Sequence, residues 1–362
     1  MIKVGIIGCG KIADSHAGQI QRINGVQIVG VCDKEELMAK QHADRFNVER
    51  YFNDVNRFLD ESSPAVVHIT TPPQSHFALG KMCLEAGCHV YVEKPFTVNT
   101  AEAQELISLA TAKKLKITAG HDDQYSHAAR RMRELIRQGY LGGSPVHMES
   151  YYCYDLGDQQ YAKALLGDKQ HWVRALPGTL MQNNISHGIS RIAEFMPDDD
   201  PVVIAHGFVS PLLRGMGEHD IIDEVRVIIS NARTTTAYFT FSTQMRPTLR
   251  HFRVYGTRNG LMMDHDQQTL IKIRGAKRKS YLEKFIPPSD YASQYAVNAL
   301  KNIHSFLKMD FHMKSGMKFL IESFYRSIAD NTAPPIPYRE IILTSSIMDS
   351  IFNQICPGKT FQ

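Results

Sequence analysis

The sequence contains no apolar stretch approaching the length of a membrane span, so a membrane role through a hydrophobic helix is not expected. Met1 leads straight into a strand-like run rather than a charged and then apolar signal segment, and the expected location is cytoplasmic. Cysteine is sparse: six residues in 362, with no CxxC pair and no zinc-like cluster. That pattern argues against a disulfide scaffold and against a metal site, and reduced, buried thiols are the default. A net charge of +4 is too small at this length to point to nucleic acid. Repeats, low-complexity tracts and an obvious flexible linker are also missing. What remains, at 43% hydrophobic and 22% charged residues, is the composition of an ordinary soluble protein long enough for two domains.

The first sixteen residues carry the most information. A short apolar run, Val4 to Ile7, is followed by Gly8-x-Gly10-x-x-Ala13 and then by helical spacing. Such a strand-to-helix turn brings backbone N–H groups and a positive helix end against a pyrophosphate. Gly8 permits the turn, Gly10 leaves room for phosphates, and Ala13 lets the helix pack closely on a sheet. The next apolar run, Val26–Cys32, ends on Asp33, about twenty residues past Ala13. An acid at that spacing accepts hydrogen bonds from an adenine ribose and disfavours a 2′-phosphate, while Lys34 beside it leaves NADP open.

From Lys3 to Asp122, short apolar runs alternate with amphipathic stretches, the signature of a parallel, doubly wound sheet. Ligands on such sheets bind beyond the strands' carboxyl ends. Those positions hold Gly8–Ala13, Asp33-Lys34, Thr70-Thr71-Pro72-Pro73, Glu93-Lys94-Pro95 and Gly120-His121-Asp122-Asp123. A turn plus a helix cap accounts for most of Thr71–His76. The charged pair Glu93-Lys94 is more specific, because unpaired charge in the core of a sheet is costly. Pro95 holds the residue before it in extended geometry and so fixes where Lys94 points.

Together these residues resemble the glucose–fructose oxidoreductase / inositol dehydrogenase (Gfo/Idh/MocA) family. The resemblance rests on the glycine loop with His16, on Asp33, on Thr71-Pro72 with His76, and above all on Glu93-Lys94-Pro95. It continues through Trp172-x-Arg174, Gly178…His187 and Pro334-Pro335-Ile336-Pro337. It implies a nucleotide-binding Rossmann domain over 1–122 and an α+β domain over 123–362 for substrate binding and oligomerisation. The second domain would be built on an open, mostly antiparallel sheet, with the last helix packing near the domain junction. The implied reaction is hydride transfer between NAD, or NADP, and a sugar or polyol carbon. The implied cofactor set is Gly8, Gly10, Lys11, Ile12, Ala13, Asp33, Lys34, Thr70, Thr71, Pro72, His76, Glu93 and Lys94. Lys94 takes the family's catalytic lysine position and His187 its usual acid/base.

One departure matters. The family often carries an aspartate four residues before that histidine, and here the position is Asn183. At that spacing an amide can touch substrate or orient His187, but it supplies no negative charge.

Beyond residue 124, strand-like runs cluster with few helices between them, and Asn231-Ala-Arg233 reads as a hairpin turn. A sheet covered on one face only favours a homodimer or homotetramer. Tyr125, Tyr151, Trp172, Arg174 and Asn184 are the candidate substrate residues, with aromatics to stack on a sugar and an arginine to pair with an anion. Arg246, Arg250, Arg253, Arg258, Lys272, Arg274, Lys277, Arg278 and Lys279 make the middle of this domain basic, which reads as a solvated face or as a subsite for a nucleotide diphosphate or other anionic sugar. The leading reading is an NAD(P)-dependent sugar or polyol oxidoreductase in which Lys94 and His187 handle a hydroxyl proton. Two rivals are an NAD-retaining glycoside-cleaving enzyme and a non-catalytic cofactor-sensing protein, the latter favoured by Asn183.

Overall fold

The computed structural model describes residues 1–157, 162, 166–231, 234–275, 278–310 and 314–356. Contacts divide the chain into two units, Met1–Asp122 with Gly316–Ser346, and Asp123–Ser315 with the segment from Ile347 onward.

The first unit is a parallel sheet of six strands in the order β3-β2-β1-β4-β5-β6. The strands are β1 (Ile2–Ile7), β2 (Val26–Cys32), β3 (Tyr51–Phe52), β4 (Val66–Ile69), β5 (His89–Val92) and β6 (Ile117–Ala119). Between them run α1 (Lys11–Ile20), α2 (Glu36–Phe46), α3 (Val55–Ser62), α4 (His76–Glu85) and α5 (Thr100–Ala112). Every residue of β4 is buried, as expected of a strand covered on both faces. Helix α1 buries Ala13, His16, Ala17 and Ile20, which share one face at helical spacing. The strand order reverses between β1 and β4, and the crevice outside their carboxyl ends is where a doubly wound sheet takes its ligand.

The second unit is built on seven strands in the order β13-β12-β11-β7-β10-β9-β8. They are β7 (His147–Tyr152), β8 (Val202–Phe208), β9 (Glu224–Ser230), β10 (Thr236–Ser242), β11 (Arg250–Tyr255), β12 (Asn259–Asp264) and β13 (Thr269–Arg274). All neighbours are antiparallel except β7 and β10. Its helices include α6 (His127–Arg137), α7 (Thr179–Asn184), α8 (Ser186–Phe195), α9 (Pro211–Gly215) and α10 (Ile286–Leu307). Strands β9 and β10 pair as the expected hairpin, and Asn231 Oδ1 accepts from Thr234 N at 2.7 Å. The turn residues Ala232 and Arg233 lie outside the described residues.

Burial alternates along β10: Ala237, Phe239 and Phe241 are buried, whereas Tyr238 is exposed. The exposed face of the sheet is apolar at one end, where Ile204 registers with Ile228 and Ile228 with Tyr238. Both edge strands are masked by side-chain amides that imitate a neighbouring strand. Gln354 accepts from Ala205 N and donates to Val203 O on β8, each at 2.9 Å. Gln294 and Asn298 of α10 do the same for Lys272 and Leu270 of β13. Part of each edge's outward hydrogen-bonding capacity is thereby taken up before another chain could use it.

The chain closes with α11 (Ser315–Ala329) and α12 (Tyr338–Ile355). The sequence reading assigned everything after residue 122 to the second domain, whereas Gly316–Ser346 groups with the first unit. The physical reason is specific packing: the Tyr325 hydroxyl reaches His68 of β4 at 2.7 Å, and the Phe324 ring lies 6.2 Å from that of Tyr91 on β5. No helix of the described residues is long and apolar enough to cross a membrane.

Candidate functional site

In the first unit the glycine loop is shaped by its neighbours. Gly8 has φ +94°, and a Cβ there would come within 2.7 Å of the Thr71 side chain and 2.8 Å of its backbone nitrogen. Only glycine tolerates both conditions. Thr70 Oγ1 donates to Gly8 O at 2.6 Å, tying the loop after β4 to the loop after β1. Gly10 is different: its backbone is extended and a Cβ would meet nothing within 4 Å. The space beside it is open, and it caps α1 with no side-chain hydrogen bond to the first turn. The uncapped first-turn N–H groups, around Lys11 and Ile12, present the positive end of the helix to that space.

Asp33 follows β2 directly, with Oδ2 accepting from Cys9 N at 2.7 Å and Oδ1 from Glu35 N at 3.0 Å. Each oxygen keeps a second lone pair, so the carboxylate is oriented and still able to accept from a ribose. Lys34 beside it is exposed. A loop with room at Gly10, bare amides and an aligned acid is the donor and acceptor set a dinucleotide requires.

The loop after β5 is anchored from both sides. His76, fully buried, has Nδ1 2.9 Å from Pro95 O and Nε2 2.9 Å from Thr71 O. It therefore links the Thr71-Pro72 loop to the Lys94-Pro95 loop. Burial lowers the proton affinity of this ring, while the two carbonyls and Glu93 raise it. The Lys94–Pro95 bond is cis.

Glu93 begins a buried chain of four groups. Its Oε1 lies 2.8 Å from His16 Nε2, His16 Nδ1 lies 2.8 Å from His68 Nδ1, and His68 Nε2 lies 2.7 Å from the Tyr325 hydroxyl. An ionised Glu93 accepts from His16 Nε2–H, so His16 Nδ1 accepts from His68 Nδ1–H and His68 Nε2 accepts the Tyr325 proton. One set of tautomers thus satisfies every member. Burial alone would raise the Glu93 carboxyl, but the hydrogen bond from His16, followed by Lys94, brings it down to about 2. Burial first, and then His16, hold His68 well below the usual histidine range. Gly120, at the end of β6, is required here because a Cβ would sit 2.9 Å from Glu93 Oε1. Glu93 Oε2 also accepts from Lys94 N at 3.1 Å, so the chain ends on the backbone of the lysine.

In the second unit, His187 sits in the first turn of α8, against β7. Gly188 makes this approach feasible: a Cβ there would lie 2.4 Å from the Phe239 ring. Ser150 Oγ donates to Gly188 O at 2.9 Å. The Tyr152 ring stacks on His187 at 5.4 Å between centroids, and the Arg191 guanidinium lies 5.9 Å over the same tyrosine. Asp123 Oδ2 is 3.8 Å from His187 Nδ1 and 3.3 Å from Arg191, while Oδ1 is 3.3 Å from His265 Nε2. Arg191 also donates to His265 Nδ1 at 2.9 Å, which leaves the His265 proton on Nε2 for Asp123. Burial would raise the Asp123 carboxyl, but His265, His187 and Arg191 outweigh it and hold the group ionised well below the usual range.

The remaining candidate residues lie in varied surroundings. Tyr151 points to the opposite face of β7 from Ser150 and Tyr152, because successive strand residues alternate, so Tyr152 is the aromatic beside His187. Asn183 lies in the last turn of α7, with Ile185 separating α7 from α8. Arg174 is tied to Glu218 at 2.5 Å and to Leu166 O, and Trp172 packs on the core around Leu180 and Leu213. Tyr125 is buried with the Arg133 guanidinium 4.7 Å over its ring. Asn184 is buried, and its Nδ2 has no hydrogen-bond partner among the described residues. An orphaned buried donor calls for a ligand or water. Tyr152 and His265 escaped the sequence reading, and Asp123 entered it only as a position just past β6, with no role assigned.

Residues 2–121 match the model of the oxidoreductase family with an NAD-binding Rossmann fold. A D-glucoside 3-dehydrogenase of Escherichia coli is 33% identical over 39% of this chain and 40% of its own length. A UDP-N-acetylglucosamine 3-dehydrogenase of Acidithiobacillus ferrooxidans is 32% identical over 41% of this chain and 44% of its own. The matched stretch therefore spans about two-fifths of those relatives. An NAD-binding oxidoreductase of Klebsiella pneumoniae shares the fold across 98% of this chain and 97% of its own, with a TM-score of 0.79 at 20% identity. Through residues 2–121 the chain is similar to the Gfo/Idh/MocA oxidoreductase family with its NAD-binding Rossmann fold.

Proposed function

We propose that the protein is an NAD-dependent oxidoreductase acting on a hydroxyl-bearing carbon of a sugar, sugar derivative or polyol. The observation that carries this reading is the open, uncapped turn at Gly10 beside the aligned carboxylate of Asp33. Asp33 favours NAD over NADP, since a carboxylate repels a 2′-phosphate. Bound at this loop, the nicotinamide coenzyme supplies the hydride acceptor. The chain's own part is to position the hydroxyl and to manage its proton. Lys94, with its backbone held by Glu93 and the buried histidine chain, stabilises the developing oxyanion. His187 takes the proton as general base, with the Asp123 carboxylate beside it to stabilise the imidazolium that forms. Asn184, through its unpartnered amide, is the candidate donor to a second hydroxyl.

Both curated relatives described above are named for oxidation at sugar position 3, which supports a sugar substrate. The missing carboxylate at Asn183, which favoured a non-catalytic protein, has a counterpart in Asp123. The exposed apolar end of the second sheet, with Ile204, Ile228 and Tyr238, supports a homo-oligomer formed through that face. The buried cysteines Cys9, Cys32, Cys83, Cys88 and Cys153 form no disulfide, in keeping with a reducing cytoplasm.

The test is nicotinamide reduction by the purified protein with a panel of free sugars, glucosides, nucleotide sugars and inositols. The reading expects turnover with at least one of these, and its loss in Lys94→Ala with coenzyme binding retained. Full turnover by Lys94→Ala, or an aglycone released with no net reduced coenzyme, would overturn it.

A further inference from the structure

Apart from the Asp123–His187 cluster, the second unit holds a cavity of about 1020 Å³ bounded by α6, β13 and α10. Both walls are anchored. On one side Gln294, Asn298 and Asn302 recur every four residues along α10, so they share one face. They bond the backbone of Lys272, of Leu270 and of Gln267, clamping the helix along the sheet edge. On the other side Gln268 accepts from Ala128 N through its side chain and from Arg131 through its carbonyl, fastening α6 to the β12–β13 turn. The cavity is preformed, and a ligand would not have to order its walls.

Its charge is unbalanced. Five cationic side chains line it, Arg130, Arg131, Lys272, Arg274 and Lys301, against the carboxylates of Glu134 and Asp290. Asp290 is already engaged by Arg274 at 3.5 Å and by Gln294 at 3.2 Å. Among the described residues no carboxylate lies within ion-pair reach of Arg131, Lys272 or Lys301. Burial, and next the charge of Arg130, pull Arg131 below its ordinary value. The basic residues noted in the sequence divide accordingly. Arg246, Arg250 and Arg253 are satisfied by Asp155, Asp266 and Glu149, whereas Lys272 faces this cavity. Beside the cations lie Leu270, Val297 and Leu300, the last two well exposed.

We propose that this cavity is a binding site for an organic anion, with a phosphate, sulfonate or carboxylate group held by Arg131, Lys272 and Lys301 and an apolar body laid on Leu270, Val297 and Leu300. An inorganic ion would leave the apolar wall bare, and a neutral apolar molecule would leave the cations uncompensated. A single molecule carrying both parts answers both. None of these residues belongs to the glycine loop, to Lys94 or to the His187 cluster, so the site is separate from the proposed chemistry and stands whether or not that reading holds.

The probe is anilinonaphthalene sulfonate, which joins an aromatic body to one anionic group, titrated into the full-length protein by fluorescence and calorimetry. The expected result is one saturable site whose affinity drops about tenfold or more in Lys272→Gln/Lys301→Gln, each lost charge-assisted contact being worth about a factor of ten. Raising the ionic strength weakens it in the same way. N-phenyl-naphthylamine, the same ring system without the sulfonate, is expected to bind far more weakly, an arm that needs no variant. Saturating NAD leaves the affinity unchanged. Equal binding of the neutral dye, or affinity indifferent both to salt and to the double substitution, would show adsorption to exposed apolar surface of α10 and would overturn the proposal.

Discussion

Asp123 Oδ2 stands 3.8 Å from the Nδ1 of His187, and the same carboxylate meets Arg191 and His265 at 3.3 Å each. A negative charge that the family motif would place four residues before the histidine comes here from a turn following β6. Asp123→Asn keeps the size of the side chain and removes the charge that would stabilise an imidazolium. Turnover is expected to fall about tenfold to a hundredfold, within the usual contribution of a general base and its support. NAD affinity measured on the same preparation should be unchanged, since Asp123 has no part in the glycine loop. Unaltered turnover in Asp123→Asn would remove the residue from the mechanism.

The two glycines of the first turn are expected to behave in opposite ways. Gly8→Ala puts a Cβ at positive φ within 2.8 Å of Thr71 backbone, and the strain lowers the melting temperature by several degrees. Gly10→Val enters open space at an extended backbone and leaves the melting temperature nearly unchanged. It fills the place a pyrophosphate needs, so coenzyme binding should be lost. Thermal shift with and without NAD separates the two cases. A Gly10→Val protein that still binds NAD normally would remove the loop from the site.

The buried chain from Glu93 to Tyr325 predicts fixed tautomers. With nitrogen-labelled histidine, NMR should find His68 neutral with its proton on Nδ1, unchanged as the pH falls from 8 to 5, because burial keeps it from protonating. Tyr325→Phe removes the only proton given to His68 Nε2 and should shift the ring-nitrogen signals of both His68 and His16. A His68 that titrates near the normal histidine value in the folded protein would contradict the assignment.

Much of the first unit was legible because its strands are buried on both faces and read as unbroken apolar runs. The observed Val26–Cys32 coincides with its expected range, and β4 is wholly buried. The glycine loop, Asp33 and Glu93-Lys94-Pro95 were legible for a related reason: each lies within a few residues of a strand end, where local sequence decides geometry. The His187 cluster was not, since Asp123, Arg191 and His265 come from three elements brought together only by packing. Tyr151 and Tyr152 show the limit most plainly. They are adjacent on a strand whose burial alternates, so one residue of register decides which ring meets the histidine. The amphipathic pattern of α11 likewise gave no sign of which sheet it would cover.

Acid should unfold the protein in two overlapping stages. The folded-state affinity of His68 for protons is depressed, so its contribution is present above about pH 6.5 and lost below it, as the unfolded chain takes up the proton. His76 and His265 act in the same direction. Glu93 is depressed from 4.5 to about 2, so its contribution is complete above pH 4.5 and disappears between there and 2. The shift corresponds to about 3 kcal/mol at neutral pH. Glu93→Gln should therefore melt well below the native protein at pH 7, with the gap closing as the pH approaches 3. A constant gap across that range would show that the charge of Glu93 contributes nothing.

The most direct test of the account is calorimetric titration of the full-length protein with NAD and with NADP. A saturable single site is expected, with NAD favoured by about tenfold or more because Asp33 opposes a 2′-phosphate. Absence of any binding heat or thermal stabilisation with either coenzyme would contradict the account at its base.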